Sequence, residues 1–158
     1  MDFNIPATLS LTIIATGITA YYARHTKKIA DEQMLKQLFK EFNERYDKLN
    51  DTLSEVQTKY STFDDLNQAP NSGELKKKVN DYFSLCAEEF YWYKHKKRID
   101  KLLWESWQTG MNYWYNNVPS IKALWDKEVL VSGKRSYYIT DNDEFFIPTR
   151  NTKLEVKE

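Results

Sequence analysis

The chain has 158 residues, which leaves room for one domain built on one hydrophobic core. Its 23 Lys and Arg balance 23 Asp and Glu, so no net field draws it toward nucleic acid or anionic lipid. With 5 Trp, 11 Tyr and 8 Phe against 4 Gly and 4 Pro, the composition predicts a helical body with bulky packing, and the single cysteine, Cys86, excludes an internal disulfide framework.

From Ile5 to Ala23 no residue is charged. These 19 residues, at ~1.5 Å each, form a helix of roughly 28 Å, about the hydrocarbon thickness of a bilayer. Pro6 suits the first turn. Tyr21 and Tyr22 would lie at the headgroup level, and the cations Arg24, Lys27 and Lys28 follow together with His25. A secretory signal places its cations before the apolar run, where this chain has Asp2. Residues 1–28 are therefore expected to be a transmembrane anchor with a basic cytoplasmic flank, the N-terminus facing out. The competing reading is a buried helix of a soluble protein.

At about 100° per residue, Thr8, Thr12, Thr16 and Thr19 fall with Asn4, Ala15 and Ala23 in one arc of roughly 120°. Leu9, Ile13, Ile14 and Ile18 lie outside it. Such a small-polar stripe packs helix on helix or lines a wet channel among copies. Alternatively, each Thr bonds its own i−4 carbonyl and needs no partner.

Residues 29–146 read as a cytoplasmic helical bundle. Leu35, Phe39, Phe42, Tyr46, Leu49, Leu53, Val56 and Tyr60 alternate steps of four and three, and no Gly or Pro interrupts residues 29–60. One long helix is predicted there, its aromatic seam docking on helices of the same chain. Residues 61–73 read as a loop with one turn of helix. A second helix begins near Glu74, buries Leu75, Val79, Tyr82, Cys86, Phe90 and Tyr93, and ends near Lys96. Asp100 is an N-cap for a helix carrying Leu103, Trp107, Met111 and Trp114 inward, with Ile99 and Trp104 as a hydrophobic staple. Asn116, Asn117 and Pro119 stop that helix, and Ser120 caps a short one with Ile121, Leu124 and Trp125 inside. Beyond Gly133 the pattern breaks down: residues 137–148 are expected to be extended, and 147–158 form an irregular tail. The fold class is all-α throughout.

No catalytic, metal or cofactor site emerges from the spacing. Glu88 and Glu89 point about 100° apart on a helix, so one should be exposed and the other, if buried, paired with a cation. Asp141, Asp143 and Glu144 resemble half a calcium loop without its Gly or distal Glu. The run Lys94, His95, Lys96, Lys97 and Arg98 is either a partner or RNA contact beside Trp92 and Tyr93, or the cationic end of a helix. The second is the commoner use of such runs, and direct nucleic-acid contact is not expected.

The stretch from Asp81 to Tyr93, with Ile99, Asp100, Trp104 and the run Trp107 to Met111, resembles small membrane-anchored bacterial proteins. Together with the N-terminal span and residues 39–49 it resembles the single-pass, Csx-type accessory proteins of type VI-B CRISPR loci, over residues 2–146. That resemblance implies an inner-membrane, ring-forming oligomer that surrounds a pore and enhances an RNA-guided, RNA-cleaving effector by depolarising the infected cell. It also implies a HEPN-like bundle. The HEPN ribonuclease mark, Arg followed after four to six residues by His, is missing: neither His25 nor His95 has such an Arg upstream, and no His follows Arg150. The chain is therefore expected to be a non-enzymatic pore protein bound to membrane lipid. The alternatives are a non-conducting membrane tether that recruits the effector or RNA and, weaker, a divergent ribonuclease.

Overall fold

A computed structural model describes the backbone of residues 7–147 and the side chains from residue 15 onward. The chain divides into two compact units, Met1–Lys40 and Glu41–Glu158. One helix, α1 (Ala7–Lys59), runs through the boundary between them, as its freedom from proline predicts.

In the first unit the described side chains are exposed or half-buried. Ile18, Tyr21 and Tyr22 are each more than half exposed. Among the described residues no helix is long and apolar enough to cross a membrane, so hydropathy does not support the expected anchor. The sequence shows why: Thr8, Ser10, Thr12, Thr16 and Thr19 dilute the apolar run, and Ile5 precedes the first described residue.

The second unit is a helical bundle. It holds the C-terminal part of α1, then α2 (Phe63–Gln68), α3 (Ser72–Lys94), α4 (Lys101–Asn117), α5 (Pro119–Ser132) and a 3-10 turn, Lys134–Tyr137. Along α1 the predicted seam buries Phe42, Leu49, Leu53 and Val56, while Tyr46 is half-buried. Thr62 opens α2 by accepting the Asp65 N–H (3.2 Å) and donating to the Asp65 carboxylate (2.6 Å). Asp100 caps α4 as predicted, accepting the Leu103 N–H at 2.8 Å.

Helix α3 is buried on more sides than its predicted stripe. Phe83, Leu85 and Ala87 are covered along with Leu75, Val79, Tyr82, Cys86 and Phe90, because α2, α4, α5 and the 3-10 turn all pack on it. The helix ends at Lys94, two residues before the expected position.

Two further expectations are corrected. Ser120 does not cap α5. The helix starts two residues earlier than such a cap implies, with Pro119 in the first turn and Val118 at the cap position. Ser120 is fully buried, its N–H donates to the Ser61 carbonyl (2.8 Å), and its hydroxyl has no partner. Nor are residues 137–147 an extended continuation. Tyr137 closes the 3-10 turn, Tyr138 sits in the left-handed region, and the following residues fold back onto the bundle.

That return segment completes the core. Phe145 is buried against Phe90 (5.5 Å between centroids) and Trp125 (5.4 Å). Phe146 stacks on Tyr115 at 4.9 Å and meets Trp125 edge-on at 4.8 Å. Its backbone is clasped by amides spaced four apart on α4. Gln108 donates to the Glu144 and Phe145 carbonyls (2.7 and 3.2 Å), Asn112 accepts the Ile147 N–H (2.9 Å), and Asn116 donates to the Ile147 carbonyl (2.9 Å). The remainder of the expected tail lies outside the described residues.

Phe145→Ala should destabilise the bundle by about 3–5 kcal/mol, the usual loss for a buried aromatic ring. Asn112→Ala should lower stability by about 1 kcal/mol, one net hydrogen bond. Urea unfolding followed by tryptophan emission measures both, and equal losses would contradict the packing described.

Candidate functional site

Helices α1 and α3 meet through long side chains. Arg45 of α1 reaches Glu88 of α3 with two parallel hydrogen bonds of 2.6 and 3.0 Å, and the Tyr46 and Tyr82 ring centroids lie 6.4 Å apart. Beside these contacts, where α4 comes in, lies a cavity of about 210 Å³. Asn43 and Tyr46 line it from α1, Tyr82, Leu85, Cys86 and Glu89 from α3, and Trp107, Gly110 and Met111 from α4. The intervals of three and four on each helix put these residues on faces that converge on one space.

Glu89 is the charged-type residue buried in this wall, with 8 % of its surface exposed. The sequence reading gave a buried acid a cationic partner, but the geometry does otherwise. It is Glu88, the more exposed neighbour, that takes the Arg45 fork, while Glu41 stands 3.9 Å from the same guanidinium. No cation among the described residues comes within ion-pairing distance of Glu89. Burial pushes its carboxyl up to about 8, against the opposing charge of Arg45 and with some help from Glu88. At neutral pH the group is mostly a neutral acid, able both to donate and to accept a hydrogen bond.

The neighbouring groups are uncharged as well. Tyr82 is 2 % exposed, and its buried hydroxyl, beside the Cys86 thiol, has no oxygen or nitrogen partner. Burial lifts its ionisation well above that of an ordinary tyrosine. Burial likewise raises the Cys86 thiol far above its usual range, which leaves a weak nucleophile. The Tyr46 hydroxyl accepts a hydrogen bond from Trp114 Nε1 at 3.0 Å. A carboxyl that titrates near neutrality within an apolar cavity is the kind of group functional sites employ. The sequence held one signal for it: an acid within the apolar stretch from Phe83 to Tyr93.

The other candidate residues are dispersed. The side chains of Thr8 and Thr12 lie outside the described residues. Thr16 is exposed, and the Thr19 hydroxyl donates to the Ala15 carbonyl at 2.9 Å, the local bond open to any helical threonine. Tyr21 packs edge-on against Tyr22 (5.8 Å) and stacks on His25 (6.2 Å). Arg24 and Lys27 are exposed, and Lys28 stands 3.9 Å from Glu32 on the helix surface.

The basic run forms the end of α3 and is largely engaged within the fold. Lys94 pairs with Asp143 at 3.2 Å, His95 Nε2 lies 3.1 Å from the Tyr138 carbonyl, and the Lys96 ammonium sits 5.4 Å from the Tyr91 ring centre. Lys97 adopts a left-handed conformation (φ 52°), and the Arg98 N–H closes the turn on the Trp92 carbonyl at 3.0 Å. The acids at residues 141–144 do not converge. Asp141 pairs with Lys134 (2.9 Å), while Asp143 serves Thr140 and Lys94. Among the described residues no group of three or more His, Cys, Asp or Glu is placed to hold a metal ion.

Comparison with protein-family models, with curated proteins and with solved structures finds no match to the chain.

The buried carboxyl fixes a pH dependence. In the unfolded chain it titrates near 4.5 and in the fold near 8, so the folded protein holds the extra proton across that window. Stability therefore falls as pH rises from 4.5 to 8, an effect that flattens once the folded group has ionised. Glu89→Gln should remove this component, and its melting temperature should gain on that of the native protein as pH rises. Parallel melting curves for the two proteins from pH 5 to 8 would exclude the assignment.

Proposed function

We propose that this chain is a membrane-anchored, ring-forming accessory protein that supports RNA-targeting CRISPR defence by depolarising the membrane. The observation that carries the reading is the first unit. Ile18, Tyr21 and Tyr22 are 53 %, 66 % and 65 % exposed on a helix, directly ahead of Arg24, Lys27 and Lys28. Apolar and aromatic residues next to a basic flank are the pattern of a helix leaving the hydrocarbon layer.

The same helix is too rich in hydroxyls to gain much from lipid alone. A span with a small-polar face is stabilised when sister copies cover that face or water fills the space between them. Low hydropathy and oligomerisation thus support one another in this reading. Thr8, Thr12, Thr16 and Thr19 are assigned to the ring axis, and the second unit acts as the assembly module on the cytoplasmic side. Recruitment of effector or RNA through the basic run is the weaker reading, because Lys94, His95 and Lys96 already have partners inside the fold. A ribonuclease role lacks the general acid–base histidine that such chemistry needs.

The native protein should sediment with membranes, resist alkaline carbonate washing, and emerge in detergent as a closed oligomer by mass measurement. Recovery as a soluble monomer without detergent would overturn the proposal. Replacing Thr12 and Thr16 together with Leu should abolish depolarisation during phage challenge while the oligomer persists. Undiminished depolarisation in that variant would exclude the axial assignment.

A further inference from the structure

The cavity between α1, α3 and α4 combines features that packing alone does not call for. Its wall carries two polar side chains more than nine-tenths buried, Glu89 and Tyr82, and the Tyr82 hydroxyl, beside the Cys86 thiol, has no oxygen or nitrogen partner. Buried polar groups in folded proteins are nearly always satisfied, so the Tyr82 hydroxyl marks a place where a partner belongs. A third feature is Gly110. A glycine inside a helix costs about 1 kcal/mol relative to alanine. Yet a Cβ built on Gly110 meets no atom within 4 Å, so no close approach within the chain demands a glycine there. Gly110 is exposed and lines the same cavity, with open space beside its backbone.

The lining selects the class of occupant. An anion is disfavoured, because no cation lines the space and Arg45 is held in the fork with Glu88. Tyr46, Tyr82 and Trp107 supply aromatic walls, and aromatic rings attract organic cations. Glu89 is a carboxyl without a counter-charge. A cavity of roughly 150 Å³ holds one benzene ring, so about 210 Å³ accommodates one ring with a short substituent.

We propose that this cavity is a binding site for a small organic cation, with Glu89 as its counter-charge and the aromatic walls of α1, α3 and α4 enclosing its apolar body. The site is independent of the membrane reading, since every lining residue belongs to the second unit. Binding replaces the Glu89 proton with the ligand's charge, so one proton leaves as one cation enters. The ionisable groups around Glu89 are Arg45, Glu41 and Tyr46 from α1 and Glu88, Cys86 and Tyr82 from α3. The α4 wall, made of Trp107, Gly110 and Met111, contributes none.

Titration calorimetry on the purified full-length chain, in maltoside micelles where extraction requires them, tests this with benzylammonium and its neutral counterpart benzyl alcohol. Benzylammonium should bind saturably, at least ~10-fold tighter than the alcohol. Its heat at pH 7 should differ between phosphate and Tris in proportion to nearly one proton released, and affinity should rise up to ~10-fold from pH 6 to pH 7. Glu89→Gln should abolish the preference for the cation. Gly110→Leu, which puts a bulky side chain on the cavity lining and leaves Glu89 in place, should weaken binding of both probes while keeping the pH dependence of stability. Equal affinity for the two probes, buffer-independent heats, or no saturable benzylammonium binding at millimolar concentration would each overturn the proposal. So would benzylammonium affinity that survives both substitutions.

Discussion

Helix α3 presents apolar side chains around most of its cylinder, and the second unit is arranged to keep those from Leu75 to Phe90 from water. Leu75, Val79, Tyr82, Cys86 and Phe90 lie on one side, and Phe83, Leu85 and Ala87 turn toward others. A helix with an apolar stripe needs one neighbour, whereas one apolar nearly all round needs several. Helices α2, α4 and α5 and the 3-10 turn meet that demand. The return segment completes it with Phe145 and Phe146, which pack on Phe90, Phe83 and Trp125. The aromatic content of the chain follows from this geometry, because wide rings bridge helix faces that aliphatic side chains would leave apart.

The same reliance on large side chains creates the cavity. Tyr46, Tyr82, Trp107 and the Arg45–Glu88 fork hold helices at a spacing that a small residue such as Gly110 does not fill. Protein interiors normally close such spaces to crystal-like density. Here an acid, a tyrosine hydroxyl and a thiol share one, and all three keep their protons at neutral pH because low polarity penalises charge. The cation nearest to Glu89 is bound to another acid, which leaves the buried group sensitive to whatever enters.

Much of the bundle was legible in the sequence because helical periodicity is a local signal. The seam from Phe42 to Val56 and the Asp100 cap both follow from residue type and spacing. Other features depended on partners that spacing does not reveal. Gln108, Asn112 and Asn116 grip a backbone that carries no pattern of its own, and nothing in their spacing names that partner. Ser120 has the chemistry of a cap, but Pro119 beside it is the better first helical residue, and the serine was drawn inside. Glu88 and Glu89 were distinguishable as one outer and one inner acid. Which of them Arg45 would choose depended on where α1 crosses α3, a tertiary fact. The apolar N-terminal run was plain to read, but its hydroxyls leave it short of the hydropathy of an independent span.

The position of Phe145 and Phe146 along the chain has a consequence for biosynthesis. These rings leave the ribosome after every helix of the second unit. Domains form as their segments become available during translation. Helices α3, α4 and α5 are thus made with their shared aromatic face uncovered, and the bundle stays open on that side until Phe145 and Phe146 emerge.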